Sequence, residues 1–472
     1  MNKYNKLVSN TAILAAGTFG SKLLVFLLMP LYTRILSSDQ YGLADLIAQT
    51  ANFIIPLASV GICDGLFRFA LESEGADRRR VFSTGICILA AGSAAVLCLV
   101  PLLGFVSYFR GYIWLIALYV IAANFHSACA QYIRAQGRTT MFAVQGILNT
   151  LLTIALNILF LVCFDMGTTG YVLSVVVADS LTTAFVFLTA KLWRDFSFSG
   201  FDRAEASKML RFSLPYIPTT MLWLITNVSD RYIVTYFCGQ EINGLYAAAY
   251  KIPTFLTLVC GVFIEAWQFS AVKDEEPQKR SEFFGNVYKS YMSIIFIGAS
   301  GLILTSKLFT KLLLADSYYS SWQYVPVLVM ATVFSTLVSF MGSVYFLEKR
   351  SLLSMLTSLC GAVINIVLNF VMIPDHGAMG AAVATLISYL VVYIVRAYDT
   401  QRFVRFKTHT ALIVVNTLLI ACQTIVMISA VRHWRVISCI LFAAVFAVNA
   451  SGLVKAVRTA AGGVIGMIKR KK

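Results

Sequence analysis

The side chains in this sequence with the clearest capacity for chemistry form a charged pair inside an apolar segment. Asp230 and Arg231 lie in the stretch TNVSDRYIVTYF, residues 226–237, within a run that is otherwise apolar from about residue 214 to 238. Neighbouring residues on a helix point about 100° apart, so these side chains are expected to find partners on other helices or in water. A buried carboxylate can hold a cation or a proton, and a buried guanidinium can bind an anion through two parallel N–H donors.

Three further basic residues lie in or beside apolar runs. Lys22 is about 18 Å into the first run at 1.5 Å per residue, and Lys251 lies in the segment AAAYKIP. Arg34 precedes a Tyr-Gly-Leu turn much as Arg231 precedes an Asn-Gly-Leu turn, so a twofold repeat would put the two arginines on facing sides of one cavity. Together these four bases predict a substrate-binding site for an anion such as phosphate or pyrophosphate.

The acidic residues in the apolar runs are candidates for ion coupling. Asp179, in VVVADSLTT, lies near the middle of its run, where a lone carboxylate is a candidate for coupling to a cation or a proton. Asp230 and Asp45 are further candidates. Alternatively, these acids only pair with bases such as Lys22 to fix helix packing, and Arg34 only extends to the membrane interface.

Other chemistry-bearing residues favour structural roles. Asp64 and Arg68 are spaced i, i+4 and predict an ion pair at a helix end. His126 is predicted to be a packing histidine. The ten cysteines are scattered singly, with no CxxC and no Cys/His cluster, so we predict neither a metal site nor a disulfide framework. No cofactor is expected beyond a coupling ion.

The composition shows what must position these residues. Of the 472 residues, 59% are hydrophobic and 13% are charged, and the mean hydropathy is +0.78, whereas a soluble protein has about 25% charged residues. Apolar runs of about 20 residues recur along the whole chain, and each is long enough to cross a bilayer. The fold class is therefore predicted to be an all-α polytopic membrane protein rather than a β-barrel, whose segments are short and alternating.

About fourteen transmembrane helices are predicted, and the segment near the N-terminus is taken as the first helix rather than a signal peptide. The predicted spans are 10–32, 43–66, 81–105, 112–133, 141–164, 168–190, 213–237, 242–267, 286–306, 322–347, 351–373, 378–398, 410–431 and 436–454.

The basic residues predict an orientation. Of the 38 Lys and Arg residues, 28 fall in the tails and loops of one side, six fall on the other side and four lie within spans. Cytoplasmic loops carry the excess of Lys and Arg in membrane proteins. Both termini are therefore expected in the cytoplasm, and the net charge of +16 is assigned to this bias and to anionic lipid contact rather than to nucleic-acid binding.

Two internal repeats divide the chain. The turn DMGTTG at 165–170 follows the fifth span, and DHGAMG at 375–380 follows the eleventh. Because each half has six spans, an even number, the halves are predicted to be parallel lobes related by a pseudo-twofold axis along the membrane normal, as in transporters. The predicted domains are 1–195 and 196–405 for the lobes, 406–456 for an extra helix pair, and 457–472 for a basic cytoplasmic tail.

Two stretches resemble a known family. GSKLL through PLYTRILSSDQYGL (residues 20–43) and SDRYIV through GLYAAAYKI (residues 229–252) resemble the bacterial polysaccharide-biosynthesis transporters, which include the O-antigen and capsule repeat-unit flippases. That family lies within the multidrug, oligosaccharidyl-lipid and polysaccharide exporter superfamily. The resemblance implies two six-helix lobes that work by alternating access, and the extra pair matches the members with fourteen helices.

The same resemblance implies a cargo. We expect a flippase in the bacterial plasma membrane that moves an oligosaccharide on undecaprenyl pyrophosphate from the inner to the outer leaflet for surface polysaccharides such as lipopolysaccharide. A Na⁺ or H⁺ gradient is the expected energy source. The expected partners are the polyprenyl-pyrophosphate-linked glycan, membrane lipids and other membrane proteins of polysaccharide assembly.

Three alternatives stay open at this stage. Within the superfamily they are a lipid II flippase and a cation-coupled multidrug extruder, and the extruder would favour an acidic, aromatic cavity. Outside it, a membrane glycan polymerase or ligase would need catalytic groups on a sizeable outer loop. Every predicted outer loop is short, and the sequence contains no nucleotide-binding loop and no Ser/His/Asp constellation. We therefore predict a transporter rather than an enzyme.

Overall fold

The computed structural model describes residues 28–214, 216–271, 277–348 and 350–469. Within these residues the regular structure is entirely helical, and no strand is present. The chain divides into two compact units, which we call unit 1 and unit 2, and the division falls between Val228 and Ser229. The predicted all-α membrane fold is confirmed.

The described part of unit 1 contains eight complete helices, with short 3₁₀ or π turns after some of them. Their bounds are α1 Met29–Ile35, α2 Ser38–Ser59, α3 Ile62–Glu72, α4 Gly75–Leu99, α5 Ile113–Ala135, α6 Thr139–Asn157, α7 Gly167–Thr189 and α8 Arg203–Ser213. The next helix, α9 (Tyr216–Ala271), begins in unit 1 and continues into unit 2.

The second predicted span is a bent pair of helices. The hydroxyl of Ser37 accepts from the backbone N–H of Gln40, whose side chain accepts from the Ser37 N–H, so α2 begins with a capping box. Val60 and Gly61 both adopt left-handed backbone angles, which end α2 and start α3 at an angle of 48°. The helix axis of this span therefore changes direction between α2 and α3.

Small residues bring the helices of unit 1 close together. A Cβ on Gly92 of α4 would lie 1.9 Å from the carbonyl oxygen of Ala58 on α2, so only glycine allows this approach. Apolar side chains fill the space around α5, including the stacked rings of Phe82 and Tyr132, whose centroids are 4.2 Å apart. α8 packs on α3 and α4 through Met209, which is fully buried.

Among its described residues, unit 2 contains the rest of α9 and five further helices. Their bounds are α10 Pro277–Leu313, α11 Val325–Leu347, α12 Ser351–Asp399, α13 Thr410–Ile428 and α14 Trp434–Lys469. Two of the long helices are interrupted: α9 has a non-helical residue at Gly239 (φ 88°, ψ 172°), and α12 has one at Gly377 (φ 58°, ψ −145°). Each interruption falls where the sequence predicts the turn between two spans.

The two DxGxxG turns adopt matching roles in the two units. The first glycine of each, Gly167 and Gly377, has a positive φ that favours glycine. The second glycine packs against the helix that precedes the turn: a Cβ on Gly170 would lie 3.2 Å from the carbonyl oxygen of Phe160, and one on Gly380 would lie 2.4 Å from that of Met372. The sequence repeat is therefore also a repeat of turn geometry.

Buried polar groups join the C-terminal helix pair to the rest of unit 2. The side chain of Gln423 on α13 donates to the Ser300 carbonyl of α10 (3.1 Å) and to the Ser438 hydroxyl of α14 (3.0 Å), and the Ser300 hydroxyl donates back to Gln423 (2.6 Å). Asn416 and Asn449 donate to each other. Such bonds stabilise helix association in lipid, so this pair is an integral part of unit 2.

A lysine and two tryptophans add a second link to the same pair. The Lys307 ammonium of α10 lies 4.0 Å from the ring centroid of Trp322 and 4.3 Å from that of Trp434, at the start of α14. A cation over two indole faces is a favourable arrangement.

The candidate membrane-spanning helices of the described residues lie at predicted positions, but α9, which contains the predicted spans 213–237 and 242–267, is not among them. Nine helices of the described residues are long and apolar enough to cross a membrane, or ten when the bent α2–α3 pair is included. One of the nine, 352–402, contains two predicted spans separated at Gly377. The predicted span 10–32 falls almost wholly outside the described residues.

Candidate functional site

In unit 2, Asp230 is the centre of a buried polar cluster. Its Oδ2 accepts hydrogen bonds from the hydroxyls of Tyr246 (2.9 Å) and Thr385 (2.6 Å), and its Oδ1 accepts one from Asn369 Nδ2 (2.7 Å). Only 1% of Asp230 is exposed. The four residues come from both halves of α9 and both halves of α12, so one carboxylate joins four helical segments.

A second layer of hydrogen bonds orients these donors. Asn369 Nδ2 also donates to Asn365 Oδ1 (3.1 Å), and Asn365 Nδ2 donates to the Thr385 hydroxyl (3.3 Å). The Ser229 hydroxyl donates to the same Asn365 oxygen at 2.8 Å. The asparagines before the second DxGxxG turn therefore hold the Asp230 carboxylate in place.

Arg231 lies beside this cluster and is also buried. It is 6% exposed, and its guanidinium carbon lies 5.1 Å from the ring centroid of Tyr250. Lys251, which follows Tyr250 in the chain, is half-buried. Asp230 thus finds its partners on other helical segments, as expected for adjacent residues. Unit 2 gathers an acid, a guanidinium and several tyrosines within α9 and α12.

In unit 1, Asp179 forms a polar cluster with a histidine. His126 Nδ1 lies 3.2 Å from Asp179 Oδ1, and Asn149 Nδ2 donates to the same oxygen at 2.6 Å. The other ring nitrogen of His126 lies 2.7 Å from Gln145 Oε1. Tyr119 also lies close to Asp179. The cluster joins α5, α6 and α7 within their apolar segments.

Asp45 occupies a different part of unit 1, among aromatic rings. It is 5% exposed and lies near Tyr171. Tyr171 packs edge-on against Tyr32 (centroids 4.8 Å apart) and Tyr41 (6.3 Å). Asp45 and Asp179 are therefore buried acids in separate surroundings, one aromatic and one amide-rich.

The remaining predicted bases are less informative. Arg34 lies at the last turn of α1 and is exposed. Lys22 lies outside the described residues. The expectation that Arg34 and Arg231 line one cavity stays a prediction.

The sequence did not predict the contacts of two further side chains, His126 and Arg396. His126, predicted to be a packing residue, contacts Asp179. Its position in an apolar helix was the one sequence signal that it has a polar partner. Arg396, counted among the 28 basic residues of the predicted cytoplasmic tails and loops although it falls near the end of the predicted span 378–398, is only 5% exposed. Its guanidinium donates to Thr357 Oγ1 (2.9 Å), Ser358 Oγ (2.9 Å), and the carbonyls of Val338 and Ser354 (both 3.1 Å).

The predicted ion pair of Asp64 with Arg68 is wrong. Arg68 Nη2 lies 3.1 Å from Glu72 Oε1 instead, one turn in the opposite direction along α3. Asp64 lies near Arg134 of α5. Among the described residues no group of three or more His, Cys, Asp or Glu side chains is arranged to hold a metal ion.

Comparison with known proteins assigns the family. The model of the polysaccharide biosynthesis protein family matches residues 7–269, more than half of the 472 residues. The chain belongs to this family. No curated protein sequence gives a significant match.

Solved structures show the fold to which this polysaccharide biosynthesis protein is similar. A structure named "Lipid II flippase MurJ, inward closed conformation" aligns with a TM-score of 0.70 at 14% identity, over 94% of this chain and 99% of that one. An inward-facing MATE family multidrug transporter of the MOP superfamily aligns with a TM-score of 0.66 at 13% identity, over 81% and 95%. A structure of the MATE multidrug transporter DinF-BH aligns with a TM-score of 0.62 at 17% identity, over 86% and 97%. The chain has the fold of these transporters.

Proposed function

We propose that this protein is a flippase that moves a lipid-linked oligosaccharide across the membrane by alternating access. The observation that carries the proposal is the family match over residues 7–269, made on a chain whose fold is that of a lipid II flippase and of multidrug transporters. The family name supports a role in polysaccharide biosynthesis, and the fold supports a role in transport. The proposed role is transport without catalytic chemistry.

The proposed cargo is an oligosaccharide on undecaprenyl pyrophosphate, destined for a surface polysaccharide such as O-antigen or capsule. In this proposal the protein lies in the bacterial plasma membrane with both termini in the cytoplasm, and it carries the glycan from the inner to the outer leaflet. The basic residues Lys22, Arg34, Arg231 and Lys251 bind the pyrophosphate. The burial of Arg231 inside an apolar helix supports a role for it, since such charges are costly and commonly functional.

The proposed energy source is a gradient of Na⁺ or H⁺. Asp179, Asp230 and Asp45 are the proposed coupling acids, because each is buried in a helical segment of the membrane fold. His126 extends this set, since its contact with Asp179 lets a proton be shared between an imidazole and a carboxylate.

A second candidate is transport of the peptidoglycan precursor lipid II. It is favoured by the alignment with the lipid II flippase, which covers 94% of this chain, against 81–86% for the multidrug transporters. The two candidates share an amphiphilic, pyrophosphate-linked cargo and differ in the glycan.

The proposal is tested by extracting lipids from cells that lack the protein and analysing them by mass spectrometry. We expect an undecaprenyl-pyrophosphate glycan to accumulate and to disappear when the wild-type gene is returned. Accumulation of lipid II would select the second candidate. A lipid profile identical to that of wild-type cells would contradict both.

A further inference from the structure

One cavity of unit 1 lies apart from the buried acid clusters. One face of α3, along its whole length, and the end of α8 border an open cavity of about 300 Å³, lined by Asp64, Phe67, Arg68, Leu71, Glu72 and Phe212. Three of these side chains are charged and three are apolar. The cavity lies at the end of the unit that carries the charged run 77–80, beside the amphipathic helix α8.

The spacing of residues on α3 explains why these side chains are available. Ile62, Leu66 and Ala70 are fully buried in the core of unit 1. The lining residues of α3 follow the i, i+3, i+4, i+7 pattern on another face of the helix. α3 therefore presents a second face of mixed charged and apolar side chains, of which Phe67 also packs against the core.

Two glycines bring α8 close enough to form the opposite wall. A Cβ on Gly65 would lie 2.6 Å from the Ser213 hydroxyl, and one on Gly61 would lie 3.3 Å from the Ser213 carbonyl oxygen. Because neither glycine has a side chain, the end of α8 packs directly on α3. Phe212, the neighbour of Ser213, is thereby held over the cavity.

The charges around the cavity are balanced. Arg68 pairs with Glu72 at 3.1 Å and lies 5.5 Å from the Phe212 ring centroid. Arg134 lies 4.8 Å from the Phe67 ring centroid and near Asp64. Two guanidinium groups thus match two carboxylates, so the cavity offers no net attraction for a pyrophosphate or for a lone cation.

We propose that this cavity is a saccharide subsite for an uncharged sugar ring of the transported glycan, an inference that rests on the proposed function. Carboxylate oxygens accept hydrogen bonds from adjacent sugar hydroxyls, and guanidinium groups donate to them. The rings of Phe67 and Phe212, together with Leu71, cover the apolar C–H face of the sugar. Its place beside the amphipathic helix α8 suits the water-soluble part of a molecule whose chain stays in lipid.

The test is saturation-transfer NMR on the purified full-length protein in detergent micelles. The probes are the methyl glycosides of glucose, galactose and N-acetylglucosamine, with phosphoethanolamine and inorganic phosphate as competitors. We expect at least one glycoside to bind and its affinity to fall at least fivefold in Phe212→Ala and in Asp64→Asn. The matched controls are Phe198→Ala, at a ring that is 82% exposed, and Asp77→Asn, at an exposed acid of the same unit.

Three results would overturn the subsite: no glycoside binds, the four variants bind alike, or phosphoethanolamine displaces the glycoside in every case. The last would make the cavity a site for a phospholipid headgroup. Size-exclusion profiles and unfolding temperatures of all variants separate loss of binding from loss of fold, and Asp64→Asn removes no packing volume.

Cells that lack the protein, and the same cells carrying each variant, distinguish this inference from the proposed function. When cells lacking the protein accumulate no lipid-linked glycan, the proposed function fails. When they do accumulate one, and Phe212→Ala and Asp64→Asn clear it at the wild-type rate without a change in glycoside binding, only the saccharide subsite fails.

Discussion

Asn369 donates a hydrogen bond of 2.7 Å to Asp230, across 139 residues of chain. With Tyr246 and Thr385 it completes a set of three side-chain donors on one buried carboxylate. A carboxyl group placed so deep is tolerated because the donors replace its hydration. The cluster therefore serves as a structural joint of unit 2 as well as a proposed coupling site.

Replacement of Asp230 is expected to destabilise the protein more than replacement of an exposed acid. Asp230→Ala leaves three buried donors without their acceptor, and we expect the free energy of unfolding to fall by about 2–4 kcal/mol. Thermal unfolding in detergent measures the change. Asp316→Ala is the control, since Asp316 is exposed in the same unit. Equal unfolding temperatures for the two variants would contradict the structural role of the cluster.

The contact between His126 and Asp179 predicts a pH-dependent step. The groups around the imidazole are Asp179 on α7, Gln145 and Asn149 on α6, and Tyr119 on its own helix. We expect the rate at which cells clear the accumulated glycan to change at least threefold between external pH 6 and pH 8.

His126→Gln keeps a polar side chain but removes the titration, and it is expected to flatten this pH profile. His433→Gln, at an exposed histidine, should leave the profile as in the wild type. A His126→Gln profile parallel to the wild-type profile would assign this histidine to packing alone.

The close packing at the second DxGxxG turn predicts opposite effects for two glycine substitutions. Gly380→Ala places a Cβ 2.4 Å from the Met372 carbonyl oxygen, and we expect a loss of about 1–3 kcal/mol. Gly146→Ala adds a Cβ to a helix where no atom lies within 4 Å, and we expect a gain of about 0.5–1 kcal/mol from the reduced entropy of the unfolded chain. Unfolding temperatures that change in the same direction would contradict the packing described for the turn.

Arg396 tests whether a buried guanidinium can be replaced by another base. Its N–H groups reach acceptors on α11 and on the first half of α12. A lysine keeps the charge but loses the planar fork, so Arg396→Lys is expected to cost about 2 kcal/mol or more. Arg402→Lys is the control, at a side chain that is 66% exposed and paired with Asp399. Full stability of Arg396→Lys would show that charge alone is required.

Much of the fold was predictable because hydrophobic length and turn chemistry act locally. The DxGxxG pairs marked Gly167 and Gly377 as turns, and both have the positive φ that explains the glycine. The break at Val60 and Gly61 was not predicted. Valine gives no signal for a left-handed conformation, and the bend depends on how α3 packs against its neighbours.

The candidate site was less predictable, since side-chain partners depend on which helices become neighbours. The run around Asp230 showed that a buried acid needs partners, but Asn369 and Thr385 lie more than 130 residues away. Arg68 has acids at both i−4 and i+4, Asp64 and Glu72. Only the fold determines that its ion pair is with Glu72. His126 carried too little local signal to be separated from a packing residue.

The central claim, translocation of a lipid-linked oligosaccharide, is tested most directly in reconstituted vesicles. The lipid that accumulates in cells lacking the protein is placed in vesicles with and without the purified protein, and its glycan is exposed to a membrane-impermeant oxidant. Our account predicts that the protein moves lipid-linked glycan from the inner leaflet to the outer leaflet, where the oxidant reaches it. Arg231→Ala is expected to slow this movement at least tenfold. Oxidation that stops at the outer leaflet at the same level in both preparations would contradict it.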